Sequence, residues 1–281
     1  MDLSTTRFAP SPTGRLHLGH AMSAVLAHDF ARARRGRFLL RIEDIDPGRA
    51  REEFVAGIEE DLHWLGLEWD GPVIRQSERL PLYAEALGRL KARGLVYPCF
   101  CTRADIARSA AAPHGPEGAL YPGTCRGLAD PDLSLPHAWR LDVVKAMALS
   151  GPLAWHDARA GTVAARPDLL GDVVLARKDA PTSYHLAVTV DDAAQGVSDV
   201  VRGRDLFLST HVHRLLQALL GLPTPAYHHH ALLVGADGAR LAKRHGALSL
   251  ADLRTQGVDP QAIVNAFRAG EAPLGFRLSD A

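Results

Sequence analysis

The stretch RFAPSPTGRLHLGH, residues 7–20, sets two prolines and two glycines around His17 and His20. Directly after it, Leu18, Met22, Val25, Leu26 and Phe30 recur with helical spacing. Residues 4–9 read as a short strand entering this corner, and Arg37–Ile42 (RFLLRI) as a buried strand beyond it, with Gly36 stopping the helix between them. Strand, helix and strand in so short a run form a βαβ unit, which requires a parallel sheet. The first helical turn then offers unpaired backbone N–H groups and a positive dipole end, a seat for phosphate. His17 and His20, three apart, fall on one face of that turn with ring N–H groups to donate, and Gly19 keeps the approach clear for a base or ribose. The corner predicts a nucleotide-phosphate site.

Outward from it, Phe54, Ile58, Leu62 and Leu65 mark a second amphipathic helix and Leu82, Ala86 and Leu90 a third. From Val96 to about Tyr184 the texture changes to cysteines, many Ala, Gly and Pro, and short alternating pieces such as HAWRLDVV, as expected of an inserted module. LAVTVDD (186–192) and SDVVRGRDL (198–206) read as strands that resume the sheet. A helix over Thr210–Leu220, the loop GADGARLAKRHG (235–246) and a helical tail follow. The expected organisation is therefore residues 1–95 as the first half of a nucleotide-binding α/β domain and 96–184 as an inserted connective domain. Residues 185–250 would be the second half and 251–281 a short helical tail.

Composition sets the outer bounds. With 281 residues, 47% hydrophobic and 23% charged, the chain can bury a substantial core. Lys plus Arg and Asp plus Glu both total 32, so net charge does not demand a polyanionic partner, although a cluster at Arg32, Arg34, Arg35 and Arg37 permits one. The start, MDLSTTRFAP, has no leader-like pattern, and no apolar run nears the roughly 18 residues of a membrane span. A cytoplasmic protein with no membrane partner is expected.

All three cysteines lie between positions 99 and 125, an odd and clustered set that favours a metal site over disulfides. Cys99 and Cys101, two apart, project to the same side of an extended strand, and Cys125 supplies a third thiolate. For tetrahedral zinc the fourth ligand could come from His114, Tyr121 or His137, ligand chemistry alone favouring histidine. HHH at 228–230 is not read as a second metal site, because the middle side chain of an extended segment faces away from its neighbours. Trp64, Trp69, Trp139 and Trp155 read as packing residues.

RFAPSPTGRLHLGH, RIEDID (41–46), VRGRDLFLST (201–210) and RLAKRH (240–245) resemble, in this order, the signatures of class I aminoacyl-tRNA synthetases of the glutamate type. The resemblance implies a Rossmann-type doubly wound parallel sheet, split by a connective insertion, in an enzyme that adenylates an amino acid with ATP. It places His17, Gly19 and His20 on ATP, lets Lys243 close over the β and γ phosphates, and implies Mg²⁺ accompanying the nucleotide. The attacking carboxylate is already ionised at neutral pH, so positioning and charge stabilisation supply the rate. The loop departs from the family's Lys-Leu-Ser-Lys-Arg at Arg240 and Ala242.

By the same resemblance Arg7 and Arg202 face the substrate side chain, where a guanidinium takes a carboxylate through two parallel hydrogen bonds. That suits glutamate, because the neutral amide of glutamine would leave a buried guanidinium unpaired. Glu43 then meets the α-ammonium, Tyr184 supplies a hydroxyl and a wall, and Ser11 with the backbone near Ala9 completes the cradle. From the residues alone, an ordinary surface ion pair is an equal reading of Arg7 and Glu43.

YPGTC (121–125) resembles the Tyr-x-Gly-x-Cys segment of one small branch, in which tyrosine completes a Cys-Cys-Tyr-Cys site. It implies one structural Zn²⁺ held by Cys99, Cys101, Tyr121 and Cys125. The chain also stops about thirty-five residues past the signature loop, without the helical anticodon-binding region of a full glutamyl enzyme. Both features resemble the glutamyl-queuosine tRNA(Asp) synthetases, which activate L-glutamate without tRNA and attach it to the queuosine base at the wobble position of tRNA(Asp). The expected partners are ATP, L-glutamate and that tRNA, and the expected state is a monomer. The rival readings are a shortened tRNA-dependent glutamyl-tRNA synthetase, an H-x-G-H nucleotidyltransferase acting on a small metabolite, and a non-enzymatic tRNA-binding paralogue.

Overall fold

The structure, a computed structural model, describes residues 4–108, 114–115, 118–235 and 248–280. These form two compact units, the first drawn from Met1–Ser77, Gly196–Leu206 and Pro225–Ala281, the second from Glu78–Gln195 and Phe207–Thr224. The chain opens in the first unit with β1 (Thr5–Phe8), α1 (Leu18–Ala33), β2 (Arg37–Ile42), α2 (Glu52–Trp64) and β3 (Ile74–Arg75). In the second it forms α3 (Leu80–Ala92), β4 (Val96–Cys99), α4 (Arg103–Arg108), β5 (His114–Gly115), β6 (Gly118–Ala119) and β7 (Ala138–Leu141). There follow α5 (Val143–Ser150), β8 (Ala154–Asp157), β9 (Gly161–Ala164), β10 (Val174–Ala176) and α6 (Tyr184–Ala194). It returns to the first unit for β11 (Asp199–Gly203), visits the second for α7 (Ser209–Leu220), and ends in the first with β12 (Ala226–His230), β13 (Leu232–Val234), α8 (Leu250–Thr255), α9 (Pro260–Arg268) and β14 (Arg277–Ser279).

The opening βαβ unit is present. β1 and β2 pair in parallel from Thr5↔Arg37 to Phe8↔Leu40, β2 and β3 pair in parallel, and β11 pairs in parallel with β12. The two pieces meet where Ser198 N–H donates to Thr5 O (3.0 Å) and Thr5 N–H to Ser198 Oγ (2.8 Å). α1 lies on one face, and its Ala21, Ala24, Val25, Ala27 and Ala31 are fully buried in a core that also holds Phe8, Phe38, Leu40, Ile42 and Val201. Alanines bring little side-chain bulk between helix and sheet, and burying this stripe stabilises the packing of one on the other. Gly36 has a further role beyond ending the helix. A Cβ there would meet Ser4 O at 2.0 Å, so only glycine lets β2 begin beside the start of β1.

In the second unit β4, β7 and β10 form an antiparallel sheet, and α3, α6 and α7 pack together. One expectation needs correction here. LAVTVDD is not a strand but the body of α6: Leu186, Ala187, Val188, Thr189, Asp191 and Asp192 are all buried, so the helix is covered on several sides and its apolar period is blurred. Asp191 accepts from Arg79 Nε and Tyr83 Oη, both at 2.7 Å, which pays for an acidic residue inside this bundle. The HAWRLDVV stretch breaks from strand to helix at Asp142, whose carboxylate accepts from Lys145 N–H (3.0 Å) and so caps α5. No described helix is long and apolar enough to cross a membrane.

Candidate active site

The corner after β1 is built from backbone hydrogen bonds. Thr13 N–H donates to Ser11 O (2.8 Å), Glu43 N–H to Pro10 O (3.0 Å) and Arg51 N–H to Pro12 O (3.1 Å), which ties the end of β2 to the same turn. At the start of α1 the two histidines cap the helix themselves. His17 Nδ1 accepts from Gly19 N–H and His20 Nδ1 accepts from His17 N–H, each at 3.1 Å, and the ring centroids are 3.9 Å apart. Both Nδ1 atoms are acceptors, so each ring in this arrangement carries its proton on Nε2, the nitrogen able to donate to a phosphate oxygen. Gly19 has a role that spacing did not reveal. A Cβ there would meet His17 Cε1 at 3.0 Å, so the missing side chain makes room for the capping ring.

Beyond β13 the chain passes through residues 236–247, which include Arg240, Ala242 and Lys243 and lie outside the described residues. It returns at Ser249, which bridges His17, and Leu250 N–H donates to Leu16 O (2.9 Å). Ser249 and Asp252 form a capping box for α8. The start of α8 is thus anchored on the histidine corner.

Alternation along the strands sorts the remaining residues. Thr6 and Phe8, with Phe38, Leu40, Ile42 and Val201, face α1; Thr6 Oγ1 donates to Ala27 O (2.8 Å). The opposite face carries Arg7, Arg41 and Arg202, which are 5%, 0% and 5% exposed. Glu43 is buried just past β2, with Arg41 Nη2 3.5 Å from its Oε1. Burial excludes the reading of Arg7 and Glu43 as a surface ion pair. Ala9 is half-buried and Ser11 exposed, both in the corner, while Tyr184 opens α6 in the second unit, its ring 5.5 Å from that of His213.

Two residues of this face had been given no role from the sequence. Arg41 is one. The other is His229, the middle of HHH, which is 4% exposed and whose Nε2 accepts from Arg202 Nε (3.1 Å). Its neighbours point the other way, His228 to Asp199 (2.9 Å) and His230 to Ser23 on α1 (3.0 Å). The period of two that excluded a triple-histidine metal site is therefore also the signal that could have placed His229 beside Arg202.

In the second unit Cys99, Cys101 and Cys125 bring their sulfurs within 4.8 Å of one another, the one such metal-capable group among the described residues. Cys101 lies past the end of β4, yet its Sγ is 3.6 Å from both Cys125 Sγ and Tyr121 Oη. In a tetrahedron with Zn–S bonds of about 2.3 Å the edges are about 3.8 Å, so these spacings suit a cation at the centre. His137 stands apart, its Nδ1 2.8 Å from Leu135 O and its ring against Phe100 and Trp139; the His114 side chain lies outside what the structure describes. Burial pushes the Cys101 thiol up to about 11, with the Tyr121 hydroxyl opposing it. Burial also acts to raise the Cys125 thiol, but hydrogen bonds from Tyr121 and the Phe100 backbone outweigh it and hold this thiol below the usual range.

The loop past Cys125 is anchored by the buried Asp172. Its carboxylate takes Arg126 Nε (3.0 Å) and Nη2, Tyr97 Oη (2.5 Å) and Val143 N–H (3.0 Å). Arg140 donates to Asp172 O (2.7 Å) and lays its guanidinium 3.9 Å from the centroid of the Tyr121 ring.

A parallel nucleotide-type sheet, a histidine-capped helix start and buried arginines on the opposite sheet face describe a class I synthetase catalytic domain. Comparison with known proteins agrees: the family described as tRNA synthetases class I (E and Q), catalytic domain, matches residues 4–274. The chain belongs to that family. The glutamyl-Q tRNA(Asp) synthetase of Rhodobacter capsulatus is 53% identical over 270 residues, spanning 91% of this chain and 96% of that protein. Its counterpart from Symbiobacterium thermophilum is 48% identical over 269 residues, 92% of this chain and 83% of that one. Among known structures, a glutamate tRNA ligase from Elizabethkingia meningosepticum, in complex with its amino acid, is similar with a TM-score of 0.78 at 27% identity. That match covers 95% of this chain and 60% of the ligase.

Proposed function

We propose that the chain activates L-glutamate with ATP in the absence of tRNA and transfers it to the queuosine base at the wobble position of tRNA(Asp). The names of its relatives at 53% and 48% identity support this substrate pair. In this reading a glutamate α-carboxylate oxygen attacks the α-phosphorus of ATP, glutamyl-adenylate forms and pyrophosphate leaves with its Mg²⁺; transfer to the tRNA then releases AMP. The observation that carries it is the histidine-capped corner on one side of β1 and β2 with Arg7, Arg202 and Glu43 on the other.

Each residue then has a task. The Nε2–H groups of His17 and His20 stabilise charge spreading over the phosphates, Gly19 permits that ring arrangement, and Lys243 closes over the β and γ phosphates. Arg7 and Arg202 grip the side-chain carboxylate, Glu43 the α-ammonium, and Ala9, Ser11 and Tyr184 complete the cradle. Cys99, Cys101, Tyr121 and Cys125 hold one structural zinc ion, which would fix the loop around them. Residues 96–184 act as the connective insertion between the halves at 1–95 and 185–250, and the protein works as a cytoplasmic monomer.

Glutamate-dependent ATP–pyrophosphate exchange without tRNA, with glutamine and aspartate for comparison, tests this directly. Exchange with glutamate alone is expected. Exchange that begins only when tRNA is added would replace this reading with a tRNA-dependent glutamyl synthetase, and a glutamate-independent reaction of ATP would replace it with a nucleotidyltransferase.

A further inference from the structure

The geometry points to His229 as a positioning residue that fixes the Arg202 guanidinium for recognition of the substrate's side-chain carboxylate. The inference rests on the glutamate reading above and adds to it a residue outside the cradle. Arg202 is buried, and among the contacts of its head Nε donates to His229 Nε2 (3.1 Å) and Nη2 to Leu206 O (3.1 Å). A guanidinium is planar, so two fixed N–H directions set the plane in which its other donors lie. Bidentate capture of a carboxylate needs two parallel N–H groups in that plane. A rotation of the head therefore costs recognition even though the charge remains.

His229 is built for this contact. An Arg Nε–H can only donate, so His229 must present a lone pair at Nε2 and carry its ring proton on Nδ1. The ring lies parallel to that of Tyr227 (4° between planes, centroids 5.9 Å apart), and Tyr227 also lies under Arg202, 5.4 Å from Cζ to the ring centroid. The register pairs Arg202 with His229 across β11 and β12, so the contact follows from the parallel pairing itself. Neither His228 nor His230 could replace it, since both face α1.

Two variants test the role. His229→Leu removes the acceptor, and His229→Gln returns an acceptor oxygen at similar reach. In tRNA-free exchange, His229→Leu is expected to raise KM for glutamate about tenfold or more, as befits a lost charge-assisted hydrogen bond, with KM for ATP within about twofold. His229→Gln should recover most of that loss. An unchanged KM for glutamate in the Leu variant, a loss spread equally over both substrates, or a Gln variant as poor as Leu would each overturn the proposal. A readout free of substrate separates it from the glutamate reading: in the protein alone, NMR should show Arg202 Nε–H protected from solvent exchange. That protection should be lost in the Leu variant and regained with Gln. If the wild type is inert toward glutamate yet shows this pattern, the function falls while the Arg202–His229 link stands; an unprotected Nε–H in the wild type sinks the link itself.

Discussion

At the scale of single residues, His17 has two separable duties. Its Nδ1 caps α1, and its Nε2 is the donor assigned to phosphate. Asparagine is among the best N-cap residues, so His17→Asn keeps a cap oxygen while removing the ring donor. This variant should unfold within a few degrees of the wild type yet lose about a hundredfold or more in exchange rate. His17→Ala should lose both, with about 1 kcal/mol of stability gone in urea titration. Equal stability losses in the two variants would mean that the ring is not the cap. Gly19→Ala belongs with them, because its Cβ would press on the His17 ring at 3.0 Å and displace the donor without deleting it. For recognition, Arg202→Ala should abolish glutamate-dependent exchange with the fold intact; unchanged glutamate kinetics would remove Arg202 from the pocket.

At the scale of elements, α8 and α9 are docked by ion pairs that respond to pH in opposite senses. Arg254 on α8 reaches Asp61 (2.9 Å) and Glu60 (3.0 Å) on α2, and Arg268 on α9 reaches Asp29 (2.7 Å) on α1. Burial pushes the Asp61 carboxyl up to about 6 despite Arg254, whereas Asp29 sits at about 2 because bonds from His28 and Arg268 outweigh its burial. An unfolded aspartate titrates near 3.9. The folded state therefore binds the Asp61 proton more tightly, and wild-type stability should fall as pH rises from about 4 to about 6. Asp29 instead contributes stability above about pH 4 that is lost as pH falls toward 2. Measured by urea unfolding, Asp61→Asn should gain on the wild type between pH 4.5 and pH 7.5, while Asp29→Asn should carry the same deficit at both. A constant Asp61→Asn difference would contradict the assigned cost. Elements with a clean apolar stripe or a glycine stop, such as α1, β2 and α9, were legible in the sequence. α6 was not, because a helix buried on several sides has no exposed face to give its pattern a period. β14 was missed because RLS is too short to show alternation, and its pairing with β13 is set by tertiary contact.

At the scale of the molecule, the chain crosses between its two units four times, and sequence texture registers the chemistry of each unit better than the crossings. Clustered cysteines announced a metal-capable loop, and YPGTC pointed by resemblance to its tyrosine, but the ties of Arg126 and Arg140 to Asp172 beside that loop are long-range facts that no spacing shows. That geometry makes a discriminating prediction. Tyr121 Oη lies among the thiols, whereas His137 is turned to Leu135 O. Protein purified without chelator should carry about one zinc per chain, and Cys125→Ser should lose it. Tyr121→Phe should retain metal but release it to a competing chelator at roughly tenfold or more lower concentration, in line with the loss of one ligand-shell partner. His137→Ala should match the wild type. The zinc-free Cys125→Ser protein, followed by hydrogen exchange, should lose amide protection at Val96–Cys101 and Tyr121–Arg126 while β1, α1 and β2 keep theirs, because their core of Phe8, Val25, Phe38 and Leu40 is built wholly within the first unit. Protection lost equally in both units would mean that the metal supports the whole fold and not the loop alone.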